Sequence, residues 1–296
     1  MSVPVIMIHY GDSHYLAHSI AQACHVQGDA PVILLGDSHN HYYEGIQHYP
    51  ISNYFGEARR LATCFRSQGL NPHQYDWQLF CFQRWLCLLE FLKAQNIESC
   101  LTFDSDVLLY ESAQVIREQH HDVEITLAQE HPDSLCANGA TAVINSRRIL
   151  EDLKTLIFEM FDETSDLANR VKTIPGALTD MTALGLLLER FPTRIRNTYY
   201  PINGKLIDHN VLSSDGFTME NGQKMIEWHN NRPCGTLTAT SKENQLIQFD
   251  AIHFHGHSKR DIKKHLCRFT LELSALYRRN IVQFYFRKAL RKMRLL

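Results

Sequence analysis

Two aspartates, Asp104 and Asp106, lie inside the apolar segment LTFDSDVLLY at residues 101–110. The apolar residues on either side predict a buried β-strand, and alternate residues of a strand face the same side. The two carboxylates would therefore converge on one cation, and Mg²⁺ and Mn²⁺ both prefer oxygen ligands of this kind. The alternative is a loop in which both aspartates cap turns, because a motif this short also recurs by accident.

A second group of candidate ligands lies in AIHFHGHSK, at residues 251–259. Its three alternating histidines, His253, His255 and His257, would share one face of an extended segment and suit a zinc ion. Gly256 argues against this site because glycine often bends a strand. In a second interpretation, one imidazole joins the two aspartates as a metal ligand and Lys259 binds an anion. A strand with incidental surface histidines is the third interpretation.

The segments that must position these residues follow the order typical of an α/β protein. VPVIMIHY, YLAHSIAQACHVQ and APVILLGD predict a strand, a helix and a strand, which favours a parallel sheet. A turn-rich region to about residue 75 follows, and then WQLFCFQRWLCLLEFLKAQN predicts a helix ending at Asn96. SCLTFDSDVLLY predicts one central strand. Further strands are predicted for VEITLAQ, GATAVIN and QFDAIHFHGH, and helices for SRRILEDLKTLIFEMFDE and TDMTALGLLLERF, the latter capped by Thr179 or Asp180.

Composition is that of an ordinary globular protein. Of 296 residues, 44% are hydrophobic and 21% are charged, and the net charge of −2 gives no global basic field for nucleic acid. The eight cysteines form no C-x-x-C pair, so we interpret them as small buried hydrophobes of a reducing compartment. Neither a signal peptide nor a membrane-spanning run is recognisable, which predicts a cytoplasmic protein.

Four of these stretches together resemble the GT-A fold of nucleotide-sugar-dependent glycosyltransferases, most closely family 8, the galactosyl-, glucosyl- and glycogenin-type enzymes. FDSDVLL matches the family's D-x-D strand end, and NGATAVIN resembles its strand beside the donor sugar. TDMTALGLLL matches its D-Q helix start, and HFHGHSK its late H-F-x-G-x-x-K motif. The resemblance spans roughly residues 3–260. It implies a Rossmann-like, mixed and mostly parallel sheet flanked by helices, with a GT-A domain at 1–260 and a basic helical tail at 261–296.

The resemblance implies a metal-dependent hexosyltransferase that moves a sugar from a UDP-sugar to a hydroxyl acceptor with retention, as in polysaccharide biosynthesis. Asp104, Asp106 and His253 would hold Mn²⁺ (or Mg²⁺). Asp104 and Ser105 would also contact the nucleotide sugar. Lys259 would bind the diphosphate, and Gly256 would let the backbone approach it closely.

The loop after the first strand, His9 to Asp12 and including Gly11, would meet the nucleoside. Asp12 is a candidate acceptor for the uracil ring, or else an ordinary turn aspartate. Asp37, at the end of the second predicted strand, is a weaker candidate for the same role. Arg84 would reach the donor phosphates or sugar; the alternative is a surface salt bridge.

Two residues are implied at the reacting centre. Asn138 would contact the donor sugar, or else be a turn residue before a strand. Asp180 would face the sugar or the acceptor, and it could also cap the helix that follows. The family commonly has glutamine where this chain has Met181, and it has a tryptophan-containing ending where this chain continues with Arg260. These departures bear on donor identity and stereochemistry more than on the fold.

The last residues, 278–296, contain seven Arg and Lys and no acidic residue. Such a segment predicts either a membrane-surface helix at the inner face of the membrane, serving a lipid-linked or glycan acceptor, or a helix docked on its own domain. Three other functions stay open. A sugar nucleotidyltransferase would need a glycine-rich basic loop, which HYGDSHYLAHS lacks. The others are a non-catalytic sugar or membrane-surface binding protein on the same fold, and a zinc hydrolase. We expect residues 39–75 and 202–245 to line the acceptor side.

Overall fold

The computed structural model describes residues 2–66, 70–131, 133–174, 178–238, 244–267 and 270–277. Within these residues, helices alternate with strands along the first part of the chain, as the strand-helix-strand beginning predicts. The helices are α1 (Leu16–Gln27), α2 (Gly56–Cys64), α3 (Pro72–Ala94), α4 (Ala113–Glu118), α5 (Arg148–Met160), α6 (Asp166–Val171) and α7 (Asp180–Arg190).

Two sheets carry most of the described strands. The larger contains β1 (Val5–Ile8), β2 (Val32–Gly36), β3 (Gln47–Pro50), β4 (Cys100–Phe103), β6 (Ile125–Leu127), β7 (Thr141–Ile144) and β8 (Ile195–Asn197). The smaller contains β5 (Val107–Leu109), β9 (Lys205–Ile207), β12 (Glu227–His229), β13 (Arg232–Leu237) and β14 (Gln245–His253). β10 (Met219–Glu220) and β11 (Gln223–Lys224) form a separate hairpin.

The larger sheet has the order β3-β2-β1-β4-β7-β6-β8. All of its described pairings are parallel except those of β7, which runs antiparallel to β4 and β6. The sheet is therefore mixed and mostly parallel, with β4 at its centre. This is the predicted fold class.

Alternating side chains give this sheet an apolar layer on each face. Ile6 of β1 packs into a cluster with α2, α3, α5 and α7, whereas Val5 and Met7 pack into another with α1 and α4. Both layers are needed because a largely parallel sheet buries both of its faces. The long α3 is apolar nearly all round for the same reason, since it lies between the sheet and other helices.

Two predictions about local structure are wrong. SCLTFDSDVLLY is not one strand: β4 ends at Phe103, the chain turns at residues 104–106, and β5 then joins the smaller sheet by pairing antiparallel with β14. The region to residue 75 is not only turns, because it contains β3, a 3₁₀ turn at Ile51–Tyr54 and α2. Thr179, rather than Asp180, is the N-cap of α7.

The start of the predicted C-terminal tail packs against the α/β domain. Residues 270–277 are helical, and the Tyr277 hydroxyl donates to the Glu44 carbonyl at 2.7 Å. Thr270 donates from its hydroxyl to Gln22 of α1 at 3.0 Å. The basic segment 278–296 lies outside the described residues. In the described part of the chain, no helix has the length and apolar character needed to cross a membrane.

Candidate functional site

The turn at residues 104–106 is held by both sheets. The Asp104 amide donates to the carbonyl of Ala140 beside β7 at 2.7 Å, and the Phe254 amide after β14 donates to the Asp106 carbonyl at 2.9 Å. The Val107 amide closes the turn on the Asp104 carbonyl at 3.0 Å. The backbone therefore fixes both aspartates at the junction of the two sheets, beyond the carboxyl end of the central strand, where ligands of α/β proteins bind.

Asp104, Asp106 and His253 form a compact group of ligand types. One ligand atom from each of these residues lies within 4.8 Å of the other two. His253 Nε2 is 3.4 Å from Asp106 Oδ1. Adjacent ligands of one octahedral ion, each bound at about 2.1 Å, lie about 3 Å apart, so small side-chain adjustments would bring all three atoms onto one ion. Two carboxylates and one imidazole suit Mn²⁺.

His253 is oriented by a backbone carbonyl. Its Nδ1–H donates to His209 O at 2.6 Å, and its Nε2 faces Asp106. A histidine that binds a metal usually donates its other ring N–H to such an acceptor. His253 at the end of β14 therefore has the orientation expected of a metal ligand, although β14 lies far from the two aspartates in the sequence.

Two cations lie against the two aspartates. Lys259 Nζ is 2.8 Å from Asp106 Oδ2 and sits over the Tyr15 ring, 4.8 Å from its centroid. Arg84 of α3 pairs with Asp104. Burial alone would raise the pKa of Asp106, but its hydrogen bonds and charge interactions with His253 and Lys259 hold that pKa below the ordinary value. Asp106 is therefore ionised at neutral pH and ready to bind a cation.

Arg84 also connects Asp104 to Asp180. Its Nη2 donates to Asp180 Oδ2 at 2.9 Å, and the Trp85 indole N–H donates to the same oxygen at 3.1 Å. Asp180 is the first residue of α7 and is 5% exposed, so this carboxylate is held rigidly. Arg84 Nε is buried and has no hydrogen-bond partner among the described residues.

A cavity of about 270 Å³, including its part open to solvent, lies beside this network. Arg84, Trp85 and Asp104 line it together with Gly139. A Cβ added to Gly139 would lie 2.7 Å from Trp85 and 2.8 Å from Leu184. Glycine at this position therefore allows the chain just before β7 to pack closely against α3 and α7. The other residues lining the cavity are Ile8, Leu88, Thr102 and Phe103.

The loop after β1 lies on the other side of the aspartate turn. His9 is buried, and its Nδ1 lies 2.8 Å from Ser105 Oγ. Burial lowers the pKa of His9 to about 4, so the ring is neutral at neutral pH. The Gly11 amide donates to Asp37 at 3.0 Å, at a φ of +75° that favours glycine. Asp12 is exposed, and it accepts a long contact, 3.5 Å, from the Tyr43 hydroxyl and a hydrogen bond from Tyr42.

Asn138 lies just before β7, where its side chain shapes a turn. Its side-chain oxygen accepts from the Ala140 amide at 2.7 Å, and its backbone forms a bridge with Ala128. The Ala140 carbonyl in turn accepts from the Asp104 amide. Asn138 thus shapes the chain that positions the aspartate turn.

Gly256 lies three residues after the end of β14 and begins a 3₁₀ turn at Gly256–Arg260, with φ at +59°. This turn carries Lys259 back toward Asp106. His255 and His257 are exposed, and neither joins the group of ligand atoms formed by His253. Among the described residues, the three-histidine arrangement is therefore not formed, because the strand ends at the first histidine.

A second group of acidic and imidazole side chains, the Lys224 cluster, lies behind His253. It consists of Asp208, His209, Asp215 and Lys224. Lys224 is 1% exposed and pairs with both aspartates, at 2.6 Å from Asp215 Oδ2. The Tyr199 hydroxyl also donates to Asp215 at 2.6 Å. The ammonium group occupies the position that a metal would need, so this cluster is structural.

Sequence analysis did not identify several residues that shape the site. No sequence pattern indicated that the Trp85 indole N–H donates to Asp180. His209 acts through its backbone carbonyl, which any residue type supplies. Ser19 of α1 donates from its hydroxyl to the Ser105 carbonyl at 2.6 Å. A serine within an apolar helix could have indicated this contact, but serines are also common in helices that form no functional site.

Solved structures of several glycosyltransferases resemble this one. The structure resembles that of mouse xyloside xylosyltransferase 1, with a TM-score of 0.50 and 8% identity over 67% of this chain and 85% of that one. The galactosyltransferase LgtC matches with a TM-score of 0.43 and 15% identity over 92% and 95% of the two chains. A glycosyltransferase that acts in glycosylation of the major capsid of PBCV-1 matches with a TM-score of 0.45 and 12% identity over 90% and 98%.

By sequence, no family model matches the chain, and no curated protein matches it significantly. The structural likeness shows the fold alone. The chain therefore has the mixed, mostly parallel GT-A fold that the resemblance predicts. The narrower resemblance to family 8 stays a prediction.

Proposed function

We propose that this protein is a metal-dependent glycosyltransferase that moves a sugar from a UDP-sugar to a hydroxyl group of a glycan or lipid-linked acceptor. The observation that carries the proposal is the convergence of Asp104, Asp106 and His253 at the junction of the two sheets. These residues come from separate parts of the sequence. The turn that fixes the aspartates and the carbonyl that orients His253 both support a site built for a cation.

The three side chains fit Mn²⁺ (or Mg²⁺), and such an ion would neutralise charge on the departing diphosphate as a Lewis acid. Asp106 and Asp104 would supply the oxygen ligands and His253 Nε2 the nitrogen ligand. In the structure, Lys259 and Arg84 offset the charges of the two carboxylates. When a donor binds, Lys259 turns from Asp106 to the diphosphate, and Gly256 lets the backbone come close to it.

The nucleoside end of the donor lies at the loop after β1. Asp12 is exposed, so its carboxylate is accessible to a uracil N–H that would donate a hydrogen bond to it. Gly11 is held by Asp37, which fixes the path of the loop. His9 is neutral and lies against Ser105, so it positions the aspartate turn without adding charge near the diphosphate.

The sugar end of the donor lies toward the cavity lined by Arg84 and Asp104. Arg84 Nε has no partner among the described residues, so it offers a donor to a sugar hydroxyl or a phosphate oxygen. Asp180 faces the same region and keeps Arg84 in place. Asn138 acts beside them by shaping the turn before β7. Retention, with attack of the acceptor hydroxyl on the same face as the departing diphosphate, rests on the resemblance to family 8.

The competing functions make different demands on the same residues. A non-catalytic binding protein would not need two carboxylates and an imidazole within reach of one ion. A zinc hydrolase built on the late histidines would need His255 or His257 to converge with His253, and they do not. A sugar nucleotidyltransferase would need the glycine-rich loop that is not found after β1. The membrane contact proposed for residues 278–296 is a separate matter, since those residues lie outside the described structure.

The test is calorimetric titration of UDP into the full-length protein with Mn²⁺ and with EDTA. We expect wild-type protein to bind UDP only with Mn²⁺. Asp106→Asn should weaken that binding about 100-fold, because it removes a charged ligand to the ion. Asp29→Asn is the matched control, since Asp29 is exposed on the loop after α1, and it should bind as wild type does.

UDP binding that is equal with Mn²⁺ and EDTA would overturn the metal site. Equal affinity in wild type and Asp106→Asn would overturn the role of this carboxylate. Lys259→Met separates the two roles of the lysine: it should strengthen the binding of Mn²⁺ alone, because Asp106 loses a competing cation, and weaken the binding of UDP with Mn²⁺.

A further inference from the structure

The segment that follows β9 holds His253 by both its backbone and its side chain. The Asp208 amide donates to the Ala251 carbonyl at 2.9 Å, and the Val211 amide donates to the His253 carbonyl at 3.0 Å. Between these two bonds, the His209 carbonyl accepts from His253 Nδ1 at 2.6 Å. The path of this segment therefore determines the direction in which the imidazole points.

Lys224 fixes that segment on both sides of the His209 carbonyl. Its ammonium group pairs with the Asp208 carboxylate and donates to the Asn210 carbonyl at 2.9 Å. These two residues flank His209 in the chain. The Lys224 backbone amide also donates to the Val211 carbonyl at 2.8 Å. One buried lysine thus holds the residues before and after the carbonyl that orients the imidazole.

The ammonium group of Lys224 is itself held in a single arrangement. Its third partner is Asp215 Oδ2, at 2.6 Å. Asp215 accepts in turn from the Tyr199 hydroxyl at 2.6 Å and from the Ser213 hydroxyl at 2.5 Å. An ammonium group has three hydrogens, and its three partners in the Lys224 cluster take all of them. The position of the group is therefore fully determined by hydrogen bonds.

The segment has no regular structure that would fix the carbonyl without Lys224. Residues 208–216 belong to no helix or strand. If the segment shifted, His253 would lose its acceptor, and its Nε2 would no longer be held toward Asp106. Loss of the acceptor behind a histidine ligand typically lowers metal affinity about 10- to 100-fold.

We propose that Lys224 is a positioning residue for the metal site, which sets the affinity for Mn²⁺ by holding the His209 carbonyl against His253. This inference rests on the proposed function, because it requires Asp104, Asp106 and His253 to bind the ion. Lys224 acts through the backbone of a neighbouring segment, so it has a role in the site in addition to its role in the stability of the fold.

The test is titration of the full-length protein with Mn²⁺ alone, in which electron paramagnetic resonance measures the free ion. Lys224→Met should weaken Mn²⁺ binding about 10-fold. Pulsed measurements on the bound ion detect the nitrogen of a coordinated imidazole. We expect this nitrogen signal in wild type and its loss in Lys224→Met, where the two carboxylates still hold the ion. His253→Ala should also lack the signal, which identifies its source.

Removing the ammonium group opens a second place for the ion, because Asp208, His209 and Asp215 then lack their cation. Lys224→Met is therefore measured in combination with His209→Ala, which removes that imidazole and keeps the backbone carbonyl. His209→Ala alone is the matched control. It should bind Mn²⁺ with the wild-type Kd and with the wild-type nitrogen signal.

Two further variants separate positioning from a general loss of stability. Leu153 is buried in α5, so Leu153→Ala destabilises the core at a site outside the Lys224 cluster, and it should change neither the Kd nor the signal. Asp208→Asn keeps the shape of one partner of Lys224 and removes its charge, so it should weaken Mn²⁺ binding about 3-fold. Circular dichroism checks that each variant is folded, and Asp208→Asn decides the question if Lys224→Met is not.

The outcomes distinguish this proposal from the proposed function. A wild-type protein that binds no Mn²⁺, or binds it without the nitrogen signal, overturns both. A wild-type signal and Kd that persist in the Lys224→Met and Asp208→Asn proteins overturn only the role of Lys224. The same holds if Leu153→Ala weakens Mn²⁺ binding as much as they do, because the effect would then follow stability.

Discussion

His253 touches two groups of ionisable residues that contain the same types of side chain. On its Nε2 side are Asp106 and Lys259, and on its Nδ1 side the His209 carbonyl leads to the Lys224 cluster. Each group has two carboxylates, an imidazole and a lysine. The difference lies in the lysine: Lys224 is 1% exposed and is fixed between two aspartates, whereas Lys259 is 29% exposed and contacts one.

This contrast shows that residue types alone do not make a metal site. Desolvating a carboxylate is costly, and the cost must be offset by a permanent cation if the group is fully buried. Lys224 is such a cation, so Asp208 and Asp215 stabilise the fold. At the aspartate turn, Lys259 and Arg84 keep partial contact with solvent. The proposed function requires a diphosphate to draw Lys259 away, and the buried Lys224 does not have that freedom.

The largest expected difference between the two groups is in how much each lysine contributes to the stability of the fold. Lys224→Met should lower the free energy of unfolding by about 3–5 kcal/mol, because it leaves two buried carboxylates without their cation. Lys259→Met is the matched variant at the other group, and it should cost no more than about 1 kcal/mol, because its ion pair is partly solvated. Urea unfolding followed by circular dichroism measures both.

A second variant checks that the loss comes from unpaired charge. Replacing Asp208 and Asp215 by asparagine in the Lys224→Met background should recover part of the lost stability. Similar losses for Lys224→Met and Lys259→Met would contradict the distinction between a structural and an exchangeable cation.

The next effect is a dependence on pH. Burial alone would raise the pKa of Asp215, but hydrogen bonds from Lys224, Ser213 and Tyr199 lower it below the ordinary 3.8. The unfolded state therefore binds a proton more readily, so this carboxylate contributes stability above about pH 4 that is lost as the pH falls through its folded pKa.

We therefore expect Asp215→Asn to be less stable than wild type at pH 7, with a difference that shrinks as the pH falls below about 4. Urea midpoints of the two proteins between pH 7 and the lowest pH at which both remain folded give this difference. A penalty that stays constant across the range would mean that the ionised form of Asp215 is not what stabilises the fold.

The smallest effect compares two glycines with positive φ and open space around them. Gly256, beside Lys259, has φ at +59°, and Gly204, before β9, has φ at +75°. Alanine at either position should cost about 1 kcal/mol, because an L side chain disfavours this conformation. Only Gly256→Ala should also weaken UDP binding with Mn²⁺, because only its turn carries Lys259. Equal UDP affinity in the two variants would remove Gly256 from the proposed donor site.

Much of the fold followed from patterns within single segments. The strand-helix-strand beginning, the long apolar α3 and the sheet strand β7 were predicted from periodicity, since both faces of the sheet are buried and each element carries its own apolar signal. α2 was missed because it has only two buried residues, Ala58 and Leu61, in a polar sequence. The prediction of a single strand at LTFDSDVLLY was wrong because an apolar run does not indicate which sheet each of its halves joins.

For the candidate site, the sequence supplied the pair Asp104 and Asp106 and the late histidines, but the expected geometry was different. The carboxylates approach each other through a turn between two sheets and not through the alternation of one strand. The role of Lys224 could not be predicted, since a lysine in a short polar hairpin is exposed in most proteins.

The sequence by itself determined the layered α/β architecture and the chemical types available at the aspartate turn, because periodicity and short spacings are local properties. Only the tertiary structure decided which of two similar acidic groups has a partly exposed cation and which histidine meets the aspartates. Those outcomes depend on burial and on contacts between distant segments. The free energy needed to desolvate a charged side chain depends on its burial, and the sequence shows the charge but not the burial.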